Sequence, residues 1–449
     1  MKHYSLLSFL LLLIFITFNC TAQCPSGSVT INSQEEIDQF IINYPNCTQL
    51  NGSLAINGSY VTNLGNLSNL ESISGSLTIL YCSELIDLNG LDNLSTIGGD
   101  LTIDINNKLT DLDELSNLTT IGGDVHILSN DALGSLDGLS NLTAINGNLK
   151  INSNENLNNL NGLNNISSIA NQVQISYNSN LTSLDGLSNL TSLGGRVEIT
   201  SNYLLDNLDA LSNLTVITGE LRISGNDNLN NLNGLHNISS IANTLEILGN
   251  DNLTNLNGLE GLVTIGGGLD IRYNNFLTTL DGLSNLVSVG SFILLQENTV
   301  LTDIEDLSNI INLGWFLDVS NNASLPTCCA AKGLAELANT LGNTVTIQNN
   351  AKGCNSIQEI ESDPNCNPTS TTLLESLNDI TVSPNPLTHW LFLNTHLAIE
   401  TVEIFDLQGR LLASQKNTNQ ITVSDLPMGV YLIKVGVKGQ SRSLKFVKE

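Results

Sequence analysis

Aliphatic and polar positions between residues 77 and 319 follow one figure repeated every 24 residues. In the stretch beginning at Leu101, the pair Leu101/Ile103 has the two-residue period of a strand, with Thr102 turned to the opposite face. The pair returns as Leu77/Ile79, Val125/Ile127, Leu149/Ile151, Val173/Ile175, Val197/Ile199, Leu221/Ile223, Leu245/Ile247, Leu269/Ile271, Ile293/Leu295 and Leu317/Val319. Outlying copies stand at Leu54/Ile56 and Val345/Ile347, where the spacing slips to 23 and 28 residues, so about 13 coils result. An asparagine follows every central pair but Leu77/Ile79, at 106, 130, 154, 178, 202, 226, 250, 274, 298 and 322. Ten recurrences in one phase predict a unit stacked on itself.

After each asparagine the apolar residue comes every third position, as in Leu109, Leu112, Leu115, Leu118 and Ile121. That spacing suits a chain bending around a core with one residue in three turned inward. Gly122-Gly123, Gly194-Gly195 and Gly266-Gly267 precede strands, and Asp137-Gly138, Asn161-Gly162, Asp185-Gly186 and Asn257-Gly258 are expected to be turns of positive φ. The expected fold class is all-β: a right-handed parallel β-helix, or leucine-rich-repeat-like solenoid, of 24-residue coils. The buried asparagine amides should bond backbone groups of adjacent coils. A stack of this height is on the order of 60 Å long.

Both ends depart from the repeat. Residues 1–22 read as a secretory signal peptide: Lys2 and His3, an apolar run from Leu6 to Phe18, then small residues near Ala22. A lipoprotein signal at Cys20 competes, but Phe18-Asn19 lacks the small residues of a lipidation site. No later segment is apolar for the 18 residues that a membrane span needs. Residues 23–53 read as an N-terminal cap, with Ser33 and Glu36 as a capping box opening a helix that carries Ile37, Phe40, Ile41 and Tyr44 on one face. A Cys24–Cys47 disulfide would close this cap. The solenoid is assigned to 54–347, a cysteine-containing cap to 348–366 and a linker to 367–379. Cys328, Cys329, Cys354 and Cys366 allow three pairings, which spacing does not decide. Cys82 occupies the asparagine position of its coil and reads as a buried free thiol.

Charge divides the chain. Residues 23–379 carry 38 acids and 7 bases, whereas 380–449 carry 5 acids and 7 bases. The acidic solenoid repels nucleic acid and anionic membranes. The tail has its own grammar: Ser383-Pro384-Asn385-Pro386, the strand-like 401–405, the 406–410 run Asp-Leu-Gln-Gly-Arg, the 428–431 run Met-Gly-Val-Tyr, and a basic end. Alternating strands with Gly and Pro turns predict a small β-sandwich over 380–449. These motifs resemble the type A C-terminal sorting domain of type IX secretion cargo. The resemblance implies recognition by the type IX secretion machinery and delivery to the outer surface of a Gram-negative bacterium, released or attached. The repeats, with Leu-x-Ile-x-x-Asn and Leu-Asp-Gly-Leu-Ser-Asn-Leu across 24–366, resemble bacterial receptor L-domain-like, leucine-rich-repeat-type proteins. That likeness implies recognition rather than chemistry. The cysteine framework of animal receptor L domains is missing within the repeats, so hormone-like ligands do not carry over.

The outward positions of the strands form a strip: His126, Lys150, Gln174, Glu198, Arg222, Glu246 and Asp270, flanked by Arg196, Glu220 and Arg272. Stacking 24 residues apart makes Glu198, Arg222 and Glu246 neighbours, as a solvated charge ladder or as part of a ligand-binding face. Aromatics gather late, at Tyr273, Phe276, Phe292, Trp315 and Phe316. Phe292, Trp315 and Phe316 would either pack on the C-terminal cap or stack on a sugar or partner side chain. The candidate binding residues are thus Arg196, Glu198, Glu220, Arg222, Glu246, Asp270, Arg272, Phe292, Trp315 and Phe316. Calcium is a weaker reading of Asp113, Asp137, Asp185, Asp209, Asp281 and Glu305, since ordinary turn chemistry accounts for Asp before Gly and the calcium-binding β-roll motif is missing. His126, His236, His389 and His396 are unclustered, and no phosphate loop or nucleophile–base pattern occurs, so no catalytic residue, cofactor or metal is expected. A passive spacer is the main alternative to a binding protein. A β-helix polysaccharide lyase, using Arg and acids on the sheet, ranks last.

Overall fold

The computed structural model describes residues 23–326, 328–340, 342, 344–363, 366, 380–383, 389–395, 399–437 and 440–448. The signal peptide expected at 1–22, the linker expected at 367–379, the Pro384-Asn385-Pro386 motif and His396 lie outside these residues. Among the described residues no helix is long and apolar enough to cross a membrane.

Each coil contributes one four-residue strand, such as Leu101–Asp104, to a wide sheet of 14 strands arranged in sequence order. Neighbours are parallel and in phase, with Val197 opposite Leu221 and Ile199 opposite Ile223. Two-residue strands such as Thr120–Ile121 build three narrower sheets of four, three and five strands on a second side. Short 3-10 turns such as Asp113–Asn117 make many of the remaining sides. The three-residue apolar period fits this bent path: Leu109, Leu112, Leu115, Leu118 and Ile121 all lie in the core with Leu101 and Ile103. A strand hidden in the expected cap, Val29–Ile31, pairs with Leu54, Ala55 and Ile56 and starts the wide sheet one coil early.

The turn glycines work differently from the expectation. Gly138, Gly162 and Gly186 lie inside 3-10 turns, and of the four Asx-Gly sites only Gly258 has positive φ, at 109°. The reason is close stacking. A Cβ on Gly138, Gly162 or Gly186 would run into the carbonyl of Leu112, Leu136 or Leu160 one coil below, and Gly122 would meet Gly98 in the same way. The left-handed corner falls instead just before the ladder position of each coil, at Tyr81, Ile105, Ser129, Ser153, Tyr177, Ser201, Tyr273, Glu297 and Asn321, with glycine there only at 225 and 249. For residues bearing a Cβ this conformation costs roughly 1–2 kcal/mol each.

The asparagine after that corner offsets the strain. Asn202 is fully buried, its Nδ2 donates to the Ile175 carbonyl at 2.9 Å, and its Oδ1 accepts the backbone N–H of Asn178 at 3.2 Å. Every rung from 106 to 322 repeats this pattern, so each amide ties the preceding coil to its own at two points. At one end Cys82 stands in the ladder, buried, with its N–H donating to Asn106 and burial pushing its thiol pKa up. At the other end Asn350 adds a rung, accepting from the Asn322 N–H at 3.0 Å.

Both open ends are covered. Helix α1 (Gln34–Asn43) starts at Ser33, whose Oγ accepts from the Glu36 N–H, while the Glu36 carboxylate accepts from the Asn32 N–H. Ile37 and Phe40 close the first coil, and Cys24 is bonded to Cys47. Helix α2 (Cys329–Thr340), inserted before the strand Val345–Gln348, accounts for the slipped spacing of the last coil. The other disulfides are Cys328–Cys354 and Cys329–Cys366, and helix α3 (Ile357–Ser362) follows. In the tail, antiparallel sheets of three and four strands enclose Leu391, Leu393, Val402, Ile404, Ile433 and Phe446.

Candidate functional site

Strand alternation turns every second side chain of the wide sheet outward, and parallel in-phase pairing stacks like positions. Glu198 therefore faces Arg222, Arg222 faces Glu246, and Glu246 faces Asp270. The ion pairs do not simply follow this column. Arg196, one rung to the side, reaches Glu198 at 3.0 Å and Glu220 at 3.3 Å, while Arg222 pairs with Glu246 at 3.0 Å. Arg272 forks onto Asp270, its Nε 2.5 Å from Oδ1 and its Nη2 2.6 Å from Oδ2. The Asp270 side chain is nearly buried, and its hydrogen bonds hold the Arg272 guanidinium above its ordinary pKa. Burial, with repulsion from Glu220 and Asp270, pushes the Glu246 carboxyl up against the opposing pull of Arg222 and Arg196. The result is a band of seven charged residues across coils 196–272, partly satisfied and partly open to solvent.

Beyond the band the same side carries aromatic rings. Phe292 and Phe316, one coil apart, stack with centroids 5.2 Å apart and planes 14° from parallel. Gly268 holds the equivalent position one coil earlier, where a Cβ would collide with the Phe292 ring. Trp315 is 66% exposed. None of the three belongs to the core of the C-terminal cap, which consists of residues such as Leu334, Ala335, Ala338, Cys354 and Ile360.

The preceding coils use this rung structurally. Asp100 accepts the N–H of Asp124, Asp124 that of Asn148, and Asn148 that of Gln172. Arg196, Phe292 and Phe316 have no acceptor to offer and leave that duty. A further set of aromatics was missed in the sequence: Tyr81 and Tyr177 share with Tyr273 the left-handed corner at the edge of the wide sheet, all half-exposed. Their phase, four coils apart each time, was the available signal, and it sets them about 19 Å apart. Arg272 lies 6.0 Å from the Tyr273 ring centre, which joins this edge to the charged band.

The acidic residues considered for calcium have structural places. Asp113, Asp137, Asp185, Asp209 and Glu305 open 3-10 turns. Burial and repulsion from Asp111 and Asp137 raise the Asp113 pKa. Among the described residues no group of three or more His, Cys, Asp or Glu is placed to hold a metal ion. His126 lies 3.5 Å from Asp124, and burial lowers its pKa despite that carboxylate.

Solenoid and tail together define a class: a repeat-built extracellular surface on a chain that carries its own export address. Residues 46–104 and 143–210 match the Receptor L domain family, and residues 381–449 match the secretion system C-terminal sorting domain. No curated protein matches the chain. A type IX tail implies interaction with that secretion machinery and delivery to the outer surface of a Gram-negative bacterium. Neither matched family is enzymatic.

Proposed function

We propose that this is a secreted or surface-attached binding protein that recognises an extracellular polymer or protein through the wide-sheet face. The observation that carries this reading is the change of use along one rung. Side chains that hold coils together at Asp100, Asp124 and Asn148 give way to Arg196, Glu220, Phe292 and Phe316, which contribute charge and ring surface outward. Forked guanidinium groups suit carboxylate, sulfate or phosphate groups on a ligand, and flat rings suit sugar faces or apolar side chains. Tyr81, Tyr177 and Tyr273 extend the face along the stack, which favours an elongated partner.

The test is retention of the purified chain on an array of glycans and extracellular proteins. Saturable retention by one chemical class supports the proposal, and absence of retention across the array supports a passive spacer. Release of unsaturated products from an anionic polysaccharide would instead make the face catalytic.

A further inference from the structure

On the narrow-sheet side, away from the charged face, one rung changes chemistry over three consecutive coils. The residue before each two-residue strand is Ser95, Thr119, Thr143, Ser167, Thr191, Thr215 and Ser239 in turn, and then Val263, Val287 and Ile311. In the earlier coils the hydroxyls serve the stack: Thr119 bonds the Ser95 carbonyl, Thr191 that of Ser167, and Ser239 that of Thr215. The aliphatic rungs give up that bond. They are covered nonetheless, with Val287 only 2% exposed, and what covers them is the tail.

The contact on the tail is an apolar pair on the outer face of its four-stranded sheet. Phe405 and Leu432 stand opposite each other on neighbouring strands, while Ile404, Ile433 and Val435 point into the tail's own core. Alternation therefore gives this sheet a second apolar patch that its core does not use. Polar contacts rim it: Lys434 Nζ lies 3.4 Å from Asn285 Oδ1, and Ser441 Oγ donates to Asn309 Oδ1 at 3.3 Å. Gly409 brings the tail's backbone against the Ser239 carbonyl and Val263. The rim asparagines belong to an outer ladder whose amides bond the coil before, as Asn237 does to Ser212 and Asn285 to Glu260. At the dock the ladder is broken by Gly261, which lines the cleft beneath Phe405 and Lys434. Net charge is complementary, about −31 on residues 23–379 against about +2 on 380–449.

We infer that Val263, Val287 and Ile311 form a dedicated dock for this chain's own sorting domain, so that the tail travels latched to the flank of the solenoid. The dock does not depend on what the wide-sheet face binds. It keeps an apolar strip covered while the tail is present and leaves the opposite face free. Proteolytic removal of the tail uncovers the strip.

Thiol labelling of the intact chain tests the dock. Val287→Cys is compared with Thr191→Cys, which sits at the same rung four coils away in solvent, and buried Cys82 reports any general unfolding. The thiol introduced at position 287 should react with maleimide at least about tenfold more slowly than the one at position 191, because labelling must wait for the tail to lift. Adding Leu432→Asp, which leaves the tail's core intact, should bring the two rates together. Equal rates in the chain without Leu432→Asp overturn the inference. Protection that disappears on tenfold dilution also overturns it, assigning the strip to a second copy. Should Cys82 label as well, the coil has opened, and the same comparison at Ile311→Cys decides.

Discussion

Replacing Asn202 with alanine tests whether the asparagine ladder holds the stack together. The side chain serves two backbone groups of the preceding coil: its Oδ1 takes the Asn178 N–H at 3.2 Å, and its Nδ2 serves the Ile175 carbonyl at 2.9 Å. Asn178 and Ile175 are both fully buried, so water cannot take over either bond. Two buried groups left unpaired cost about 1–3 kcal/mol each, or roughly 2–6 kcal/mol together. The amide contact to Asn226, at 3.4 Å, adds little because Asn226 Oδ1 still accepts the residue-202 N–H. Neighbouring-coil energetics make the loss local, so urea unfolding followed by circular dichroism should be paired with native-state hydrogen exchange. Exchange should accelerate most in the coils around 178, 202 and 226. Asn275→Ala, which removes only an exposed bond to Asp251, is the control and should change stability by less than about 0.5 kcal/mol. If Asn202→Ala falls within that same half kilocalorie, the ladder is not what secures the coils.

Other outcomes follow from single features. Ile105→Asn places at a left-handed corner (φ 55°) the residue that Asn321 supplies at the equivalent corner, and should raise stability by about 0.5–1 kcal/mol in urea unfolding. The Glu246 carboxyl is raised mainly by burial, so its folded pKa lies above the ordinary 4.5 and ionisation costs stability once pH climbs past that value. Glu246→Gln should therefore melt higher than the parent chain at pH 7, with the difference gone near pH 4. Deleting residues 380–449 should leave the solenoid folded but hold it inside the cell envelope, as fractionation and immunoblotting would show. Normal export of the truncated chain would refute the address function of the tail.

The repeat was legible because burial is periodic. Leu101, Ile103, Asn106 and Leu109 lie inward as their spacing predicts. Where glycine was concerned the sequence misled, since Gly138 and Gly258 look alike as Asx-Gly and both avoid a carbonyl of the coil below, but only Gly258 adopts positive φ. The left-handed corner was hidden because residues as unlike as Ile105, Ser129 and Tyr177 occupy it, held there by the asparagine that follows. Disulfide pairing depends on how α2 folds back over the last coil, which spacing alone does not record. The charged column could be read from strand alternation, but not that Arg196 rather than Arg222 would take Glu198. Val263, Val287 and Ile311 were visible as a break from Ser and Thr, yet their meaning required Leu432 to be seen lying on them.

Binding by the wide-sheet face is the central claim, and the most direct measurement compares retention of the native chain with that of an Arg222→Glu, Phe292→Ala, Phe316→Ala variant on the strongest array ligand. All three substitutions lie outside the main hydrophobic core, so the variant should stay folded, with a lower melting temperature because Arg222→Glu puts a carboxylate between Glu198 and Glu246. Loss of at least about tenfold in apparent affinity, equivalent to roughly 1.4 kcal/mol, is the predicted result. Unchanged affinity in a folded variant, or no retained ligand for the native chain, would contradict the account.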